Sequence, residues 1–235
     1  MKTYTDKFHL QGGELIRQIT FGMNDGVVSI FALLAGLAGA GQDSKTILIT
    51  LIAATIAGAL SMAAGEFISS KSEADYFNHE VEQESLEIEL CPDIEKEELR
   101  KIYQAKGFTG KLLDDVVNEL VKNKEQWVRE MVIDELGVTE LDHSVELKSS
   151  IIIFIAFIMG ACFPTLPYLL LVKLDLDSML LFKISTSVTV GGLFLAGALK
   201  RFVTGVNWIK SGLEMLAVGF FAFSVAYVIG IFIPY

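Results

Sequence analysis

The sequence predicts an all-α polytopic membrane protein, with five transmembrane helices and a helical insert between the second and the third. Two observations carry that prediction. Five apolar stretches, near residues 19–41, 46–70, 149–172, 178–200 and 211–233, each reach the roughly 20 residues a helix needs to cross a bilayer. Charge is concentrated elsewhere: residues 71–148 hold 21 of the 29 acids and 10 of the 19 bases, a local net charge of −11, while the rest of the chain nets +1. The overall −10 therefore describes an acidic insert in a nearly neutral frame. With 52% hydrophobic and 20% charged residues, that frame is too apolar for a soluble domain. The chain divides accordingly into residues 1–70, 71–148 and 149–235.

The first span is preceded by 18 mostly polar residues and opens with Asn24 and Asp25, unlike the apolar core of a cleaved signal. This short start points to a prokaryotic plasma membrane, or a vacuolar-type membrane in a eukaryote. Basic residues set the orientation. Lys2, Lys7, Arg17, Lys200, Arg201 and Lys210 fall on one side and only Lys45 and Lys173 on the other, so the N-terminus and the insert are expected in the cytosol.

Within the insert, span two is expected to run on as a helix through 71–89 until Cys91, Pro92 and Asp93 stop it, because proline cannot continue a helix. Three amphipathic helices follow. The first covers 94–106 and ends at Gly107. The second covers 110–122, with Leu112, Leu113, Val116, Val117, Leu120 and Val121 on one face. The third covers 124–136, with Gly137 as its C-cap.

Several functions are disfavoured. Nucleic acid needs a basic face, and the insert has the opposite sign. There is no GxxxxGK phosphate loop and no nucleophile-and-base pair, so an ATP-driven pump or an enzyme has no support. Cys91 and Cys162 form neither a disulfide framework nor a CxxC pair, although Cys91 can add a soft ligand to a metal site.

Ionisable groups inside spans are costly and usually kept for a purpose. Asp25 is placed roughly 9 Å inside span one at 1.5 Å per residue. Glu66 and Met62, on the antiparallel span two, are placed roughly 6 and 12 Å from the same end. Two carboxylates and a thioether at similar depth suit a divalent metal, with sulfur favouring iron-like ions over calcium or magnesium. The competing reading leaves Glu66 at the interface and Met62 as packing. Small residues repeat every four positions at Gly22 and Gly26, at Gly36 and Ala40, and at Ala57, Ser61 and Gly65, the pattern of tight helix packing or a dimer seam.

The insert carries a run of glutamates. Glu80, Glu84 and Glu87 share a helical face, and Glu95 and Glu98 stand one turn apart. Such a cluster is either a metal site or a solvated face, and spacing alone leaves both open. Glu140 and His143 resemble half of a di-iron helix motif, but no second copy follows and His143 reads as a surface residue.

Several segments in order resemble the vacuolar iron transporter family: the yeast and plant vacuolar iron and manganese carriers and their prokaryotic relatives. They are Gly22–Gly26 with Phe31–Gly36, Ala57–Glu66, Lys71–Asp75, Cys91–Glu95, Trp127, and Asp134–Gly137. The resemblance implies a homodimer of five-helix protomers, each with a cytosolic metal-binding insert, exchanging cytosolic divalent metal for protons. Fe²⁺ or Mn²⁺ is then substrate, with no prosthetic group. It also implies that Asp25 and Met62 line the path, and that Glu84, Glu87, Glu95, Glu98, Met131 and Glu135 bind metal in the insert. Two positions depart from the family pattern. Val132 stands where members often carry a second methionine, and Ala54 stands where plant members carry a glutamate, which leaves Glu66 as a candidate proton carrier.

The expected function is proton-coupled export of divalent metal from the cytosol. Two rivals remain: a membrane-anchored metal-storing or metal-sensing protein without transport, and a scaffold whose acidic helices recruit a basic partner.

Overall fold

The computed structural model describes residues 13–136, 145–174, 176–201 and 205–232. Among the described residues it is all-helical, without a strand. The helices are α1 (Gly13–Gly39), α2 (Ser44–Leu90), α3 (Pro92–Ala105), α4 (Gly110–Leu120), α5 (Lys124–Leu136), α6 (Val145–Leu171), α7 (Ser178–Leu199) and α8 (Trp208–Phe232), with a 3₁₀ turn at Val172–Leu174. Five of them (α1, α2, α6, α7 and α8) are long and apolar enough to cross a membrane. Gly137 and His143 lie outside the described residues. The chain divides into two compact units, one formed by 1–67 with 146–235 and the other by 68–145.

In the first unit the apolar side chains do not explain why the helices come so close; the glycines do. A Cβ at Gly26 would lie 2.1 Å from the carbonyl oxygen of Phe157, and one at Gly160 would lie 2.1 Å from that of Met23. Helices α1 and α6 therefore touch backbone to backbone, which only residues without a side chain permit. Gly230 and Gly36 do the same for α8 against α1, where a Cβ would meet the Gly36 carbonyl oxygen at 2.1 Å. Around these contacts Val27, Phe31, Leu34, Leu51, Phe157 and Leu193 close into a buried core. Two of the three small-residue repeats thus serve packing within the chain. The third, Ala57, Ser61 and Gly65, is exposed, and Gly65 has nothing within 4 Å of a built Cβ.

The turn between α1 and α2 is specified residue by residue. Gly41, at φ 72°, ends α1: its N–H donates to the Ala38 carbonyl, and the Gln42 N–H donates to that of Leu37. This 5→2 and 6→1 pair needs a left-handed residue, hence glycine. Asp43 then caps α2, its carboxylate accepting from the N–H groups of Lys45 and Thr46 and from the Thr46 hydroxyl. Those bonds favour the charged form and hold the Asp43 carboxyl below its ordinary range. Helix α6 contains Pro164 and Pro167, each lacking the N–H of a regular helix. The Ser185 hydroxyl donates to the Pro164 carbonyl at 2.6 Å, tying α7 to this irregular stretch.

The second unit is a small helical domain with its own core. Ile88, Leu99, Leu113, Val117, Trp127, Val128 and Met131 are buried together. The turn after Leu90 forms where Pro92 opens α3. Gly107, at φ 97°, ends α3 in the same way as Gly41 ends α1, with Phe108 bonding back to Tyr103 and packing its ring against it at 5.6 Å. Asn123 caps α5, accepting from the N–H groups of Glu125 and Gln126.

The α1–α6 contact gives a direct test. Gly26→Ala should destabilise the protein by roughly 2 kcal/mol, the scale of core overpacking, while Gly191→Ala, with open space at its Cβ, should be neutral or slightly stabilising. Thermal melts of the purified protein in detergent decide this. Equal melting of Gly26→Ala and wild type would contradict the backbone contact.

Candidate functional site

In the membrane-spanning unit, Asp25 and Met62 line one groove of about 430 Å³, together with Ser29, Ala54, Ser61 and Phe157. The groove exists because of Phe157. Its backbone presses on Gly26 of α1 and its ring on Gly58 of α2, where a Cβ would lie 2.5 Å from the ring. The buried ring holds the two helices apart at the depth of Asp25, and the gap on its outer side is the groove. The Ser29 hydroxyl is taken up by the Asp25 carbonyl at 2.6 Å, and the Asp25 side chain is exposed. A carboxylate and a thioether facing one open space are a donor pair suited to a transition-metal ion.

Glu66 stands elsewhere. Its carboxylate accepts from Gln18 Nε2 at 3.1 Å and lies 3.6 Å from Arg17 Nη2. Gln18 is seven residues before Asp25, about 10 Å along the helix, so Glu66 does not share a level with Asp25. The expected common depth counted from an apolar run starting at residue 19, whereas α1 is already helical from Gly13. The antiparallel register therefore brings Glu66 beside residues 17 and 18. Gln18 is 2% exposed and was not singled out in the sequence, although its seven-residue spacing from Asp25 puts both on one face.

In the second unit, ligand oxygens of Glu84, Glu87 and Glu95 all lie within 4.8 Å of one another. Glu84 and Glu87 project from one face of the end of α2, and Glu95 comes from the first turn of α3, where the helix N-terminus favours an acid. The turn at Cys91 and Pro92 folds these two faces together. Glu84 and Glu95 are each only 6% exposed, while Glu87 is exposed. Two unit charges at such a distance repel by at least about 3 kcal/mol at an effective dielectric near 20. A divalent cation converts that repulsion into attraction, and three carboxylates supply the hard oxygen donors for it.

The other expected ligands are placed differently. Glu98 is exposed on α3 and stands outside this triad, as does the exposed thiol of Cys91. Met131 is fully buried in the core of the unit beside Val132. Glu135 belongs to α5, but its side chain lies outside the described residues. Helix α5 is braced to α3 by the Tyr103 hydroxyl, which donates to Glu130 at 2.8 Å, and by the Lys106–Asp134 ion pair at 2.5 Å. Lys124 also pairs with Glu89 at the end of α2.

A carboxylate and thioether groove within a five-helix membrane unit, with a carboxylate triad in a separate helical domain, defines a polytopic membrane protein equipped to handle divalent cations. A family model described as the VIT family matches residues 16–231. The chain is 35% identical over 224 residues to vacuolar iron transporter 1 of Arabidopsis thaliana, covering 95% of this chain and 88% of the relative. It is 34% identical to the vacuolar iron transporter of Centaurea cyanus, covering 93% and 88%, and 32% identical to that of Plasmodium falciparum, covering 92% and 81%. The chain belongs to the VIT family, a family of membrane transporters and not of enzymes.

The brace between α3 and α5 is sensitive to alkali. Burial first, then the bond to Glu130 and the charges of Glu130 and Asp134, push the Tyr103 phenol up to about 12. The fold prefers the neutral phenol, so its contribution is complete below pH 10 and is lost as pH rises towards 12. Tyr103→Phe should remove that alkaline loss. A difference titration of phenolate absorbance, wild type against Tyr103→Phe, should place this group near pH 12; a difference centred at pH 10 would contradict the brace.

Proposed function

We propose that this protein is a proton-coupled transporter exporting Fe²⁺, with Mn²⁺ as a second cargo, out of the cytosol. The observation that carries the proposal is the convergence of Asp25 and Met62 on one groove within the membrane-spanning unit. It is supported by relatives that are named vacuolar iron transporters over nearly the whole chain. The N-terminus and residues 71–148 face the cytosol, in line with the basic residues of the short segments.

In this scheme Glu84, Glu87 and Glu95 collect the ion, and Glu98, Met131 and Glu135 are carried over from the family resemblance as further ligands in the same domain. The ion then passes to Asp25 and Met62. A proton and a metal compete for the same carboxylate oxygen, so protonation of Asp25 from the far side releases the cargo. Glu66, held by Gln18 and Arg17 on the cytosolic side of Asp25, guides ions toward the groove. The protein works as a homodimer. The exposed stripe Ala57, Ser61 and Gly65 borders the groove, leaves room for a close helix, and would let a second copy close the groove's open side.

Two measurements test this reading. Proteoliposomes with an acidic lumen should accumulate Fe²⁺, and Asp25→Asn should abolish accumulation while metal binding by the glutamate cluster persists. Normal flux by that variant would sink the path assignment. Separately, Glu87→Gln, at an exposed position, should weaken Fe²⁺ or Mn²⁺ binding about tenfold or more without lowering stability, since one of three charged ligands is lost. Unchanged titration calorimetry for Glu87→Gln would exclude the triad as the binding site, and metal bound without flux would favour the storage or sensing reading.

A further inference from the structure

The groove at Asp25 and Met62 stops short of Glu66. Its lining runs on α1 from Asp25 to Leu33 and on α2 from Met62 back to Ala54. Further toward the start of α1, roughly 10 Å along that helix and 6 Å along α2 at 1.5 Å per residue, polar side chains join the two helices. The Gln18 Nε2 group of α1 donates to Glu66 Oε1 of α2 at 3.1 Å, and Arg17 Nη2 stands 3.6 Å from the same oxygen. Gln18 is 2% exposed and the Glu66 side chain 12%, so this end of the seam shuts out most solvent.

The two contacts differ in strength, and the weaker one yields to a cation. At 3.6 Å the guanidinium is within ion-pair range but too far for a hydrogen bond, so its hold on Glu66 is electrostatic. The Arg17 side chain is 57% exposed, and water screens a pair of that kind. Both contacts fall on Oε1, which leaves Oε2 for an incoming ion. A divalent ion brings twice the charge of Arg17 to the same carboxylate and repels the guanidinium as it binds. Gln18 adds one hydrogen bond that the ion has to outcompete.

We infer that Gln18, Arg17 and Glu66 form a latch between α1 and α2, and that a divalent cation opens it by taking the Glu66 carboxylate from Arg17. Gln18 is the positioning residue. Its buried amide holds Glu66 against α1 while no ion is present, and it sets the ion concentration at which the latch gives way. The ion itself then makes the first step of access to Asp25. That the opening admits cargo rests on the transport reading; that the latch responds to divalent ions does not.

Phenylglyoxal reads the latch directly, because it modifies guanidinium groups and an ion-paired arginine reacts slowly. Full-length protein in nanodiscs is treated with and without Mn²⁺, and modification of Arg17 is followed by mass spectrometry. Arg100, paired with Asp114 in the second unit, serves as the reference. Mn²⁺ should raise the Arg17 rate about threefold, the scale of one exposed ion pair, and leave that of Arg100 unchanged. This arm needs no variant. Glu66→Gln should show the raised rate without Mn²⁺ and respond no further. Gln18→Leu should lower the Mn²⁺ concentration for half-maximal effect about fivefold, since the ion no longer competes with that hydrogen bond. A merely structural role for Gln18 predicts the opposite shift or none. An Arg17 rate that ignores Mn²⁺ in the wild type, or a Gln18→Leu variant that needs as much Mn²⁺ or more, would overturn the latch. Arg17 release without liposome flux would leave the latch standing and sink the transport reading; flux with Arg17 unresponsive would do the reverse.

Discussion

The close approach of α1 to α6 is the constraint on which the membrane-spanning unit depends. Gly22, Gly26 and Gly160 let two backbones meet where any side chain would hold them apart. That contact fixes where Phe157 sits, because its carbonyl rests on Gly26. Its ring then reaches Gly58, setting the separation of α1 and α2 at the level of Asp25. The groove with Asp25 and Met62 is thus a consequence of where glycine occurs. In lipid the apolar effect does little to draw helices together, so close packing has to supply the attraction. The same logic recurs at Gly36 and Gly230.

The two units solve opposite electrostatic problems. In the membrane-spanning unit carboxylates are few, and among the described residues four have a defined setting: Glu66 beside Gln18 and Arg17, Asp43 and Asp177 on helix ends, Asp25 facing a groove. In the second unit acids are abundant, and the fold forces three of them together. Glu84 and Glu95 are buried there although a solvated surface was within reach for so acidic a domain. Keeping them buried and close costs energy in the absence of a cation, and that cost is what makes metal binding favourable in the proposed scheme.

Much of the architecture was legible in the sequence because its causes are local. Spans follow from runs of apolar residues, and helix ends follow from Pro92 and Gly107, whose backbone preferences act within a few residues. Membership of the acidic cluster was legible only in part. The spacing of Glu84 and Glu87 puts them on one face, but Glu95 joins them, and Glu98 does not, only through the way α2 folds onto α3 at Cys91. Local pattern was equally unable to tell a metal site from a solvated face, since exposure is a property of the packed domain.

By itself, then, the sequence determined five membrane-spanning helices, an acidic helical insert and the presence of Asp25 and Met62 on neighbouring spans. Hydropathy and chain breakers are read one segment at a time, so these needed no knowledge of packing. Tertiary structure decided the register: that α1 begins early enough to bring Gln18 and Arg17 to Glu66, and that Phe157 wedges open the groove. Register depends on which glycines meet which backbones across 100 or more residues of chain, as Gly26 meets Phe157, and no local pattern encodes that distance.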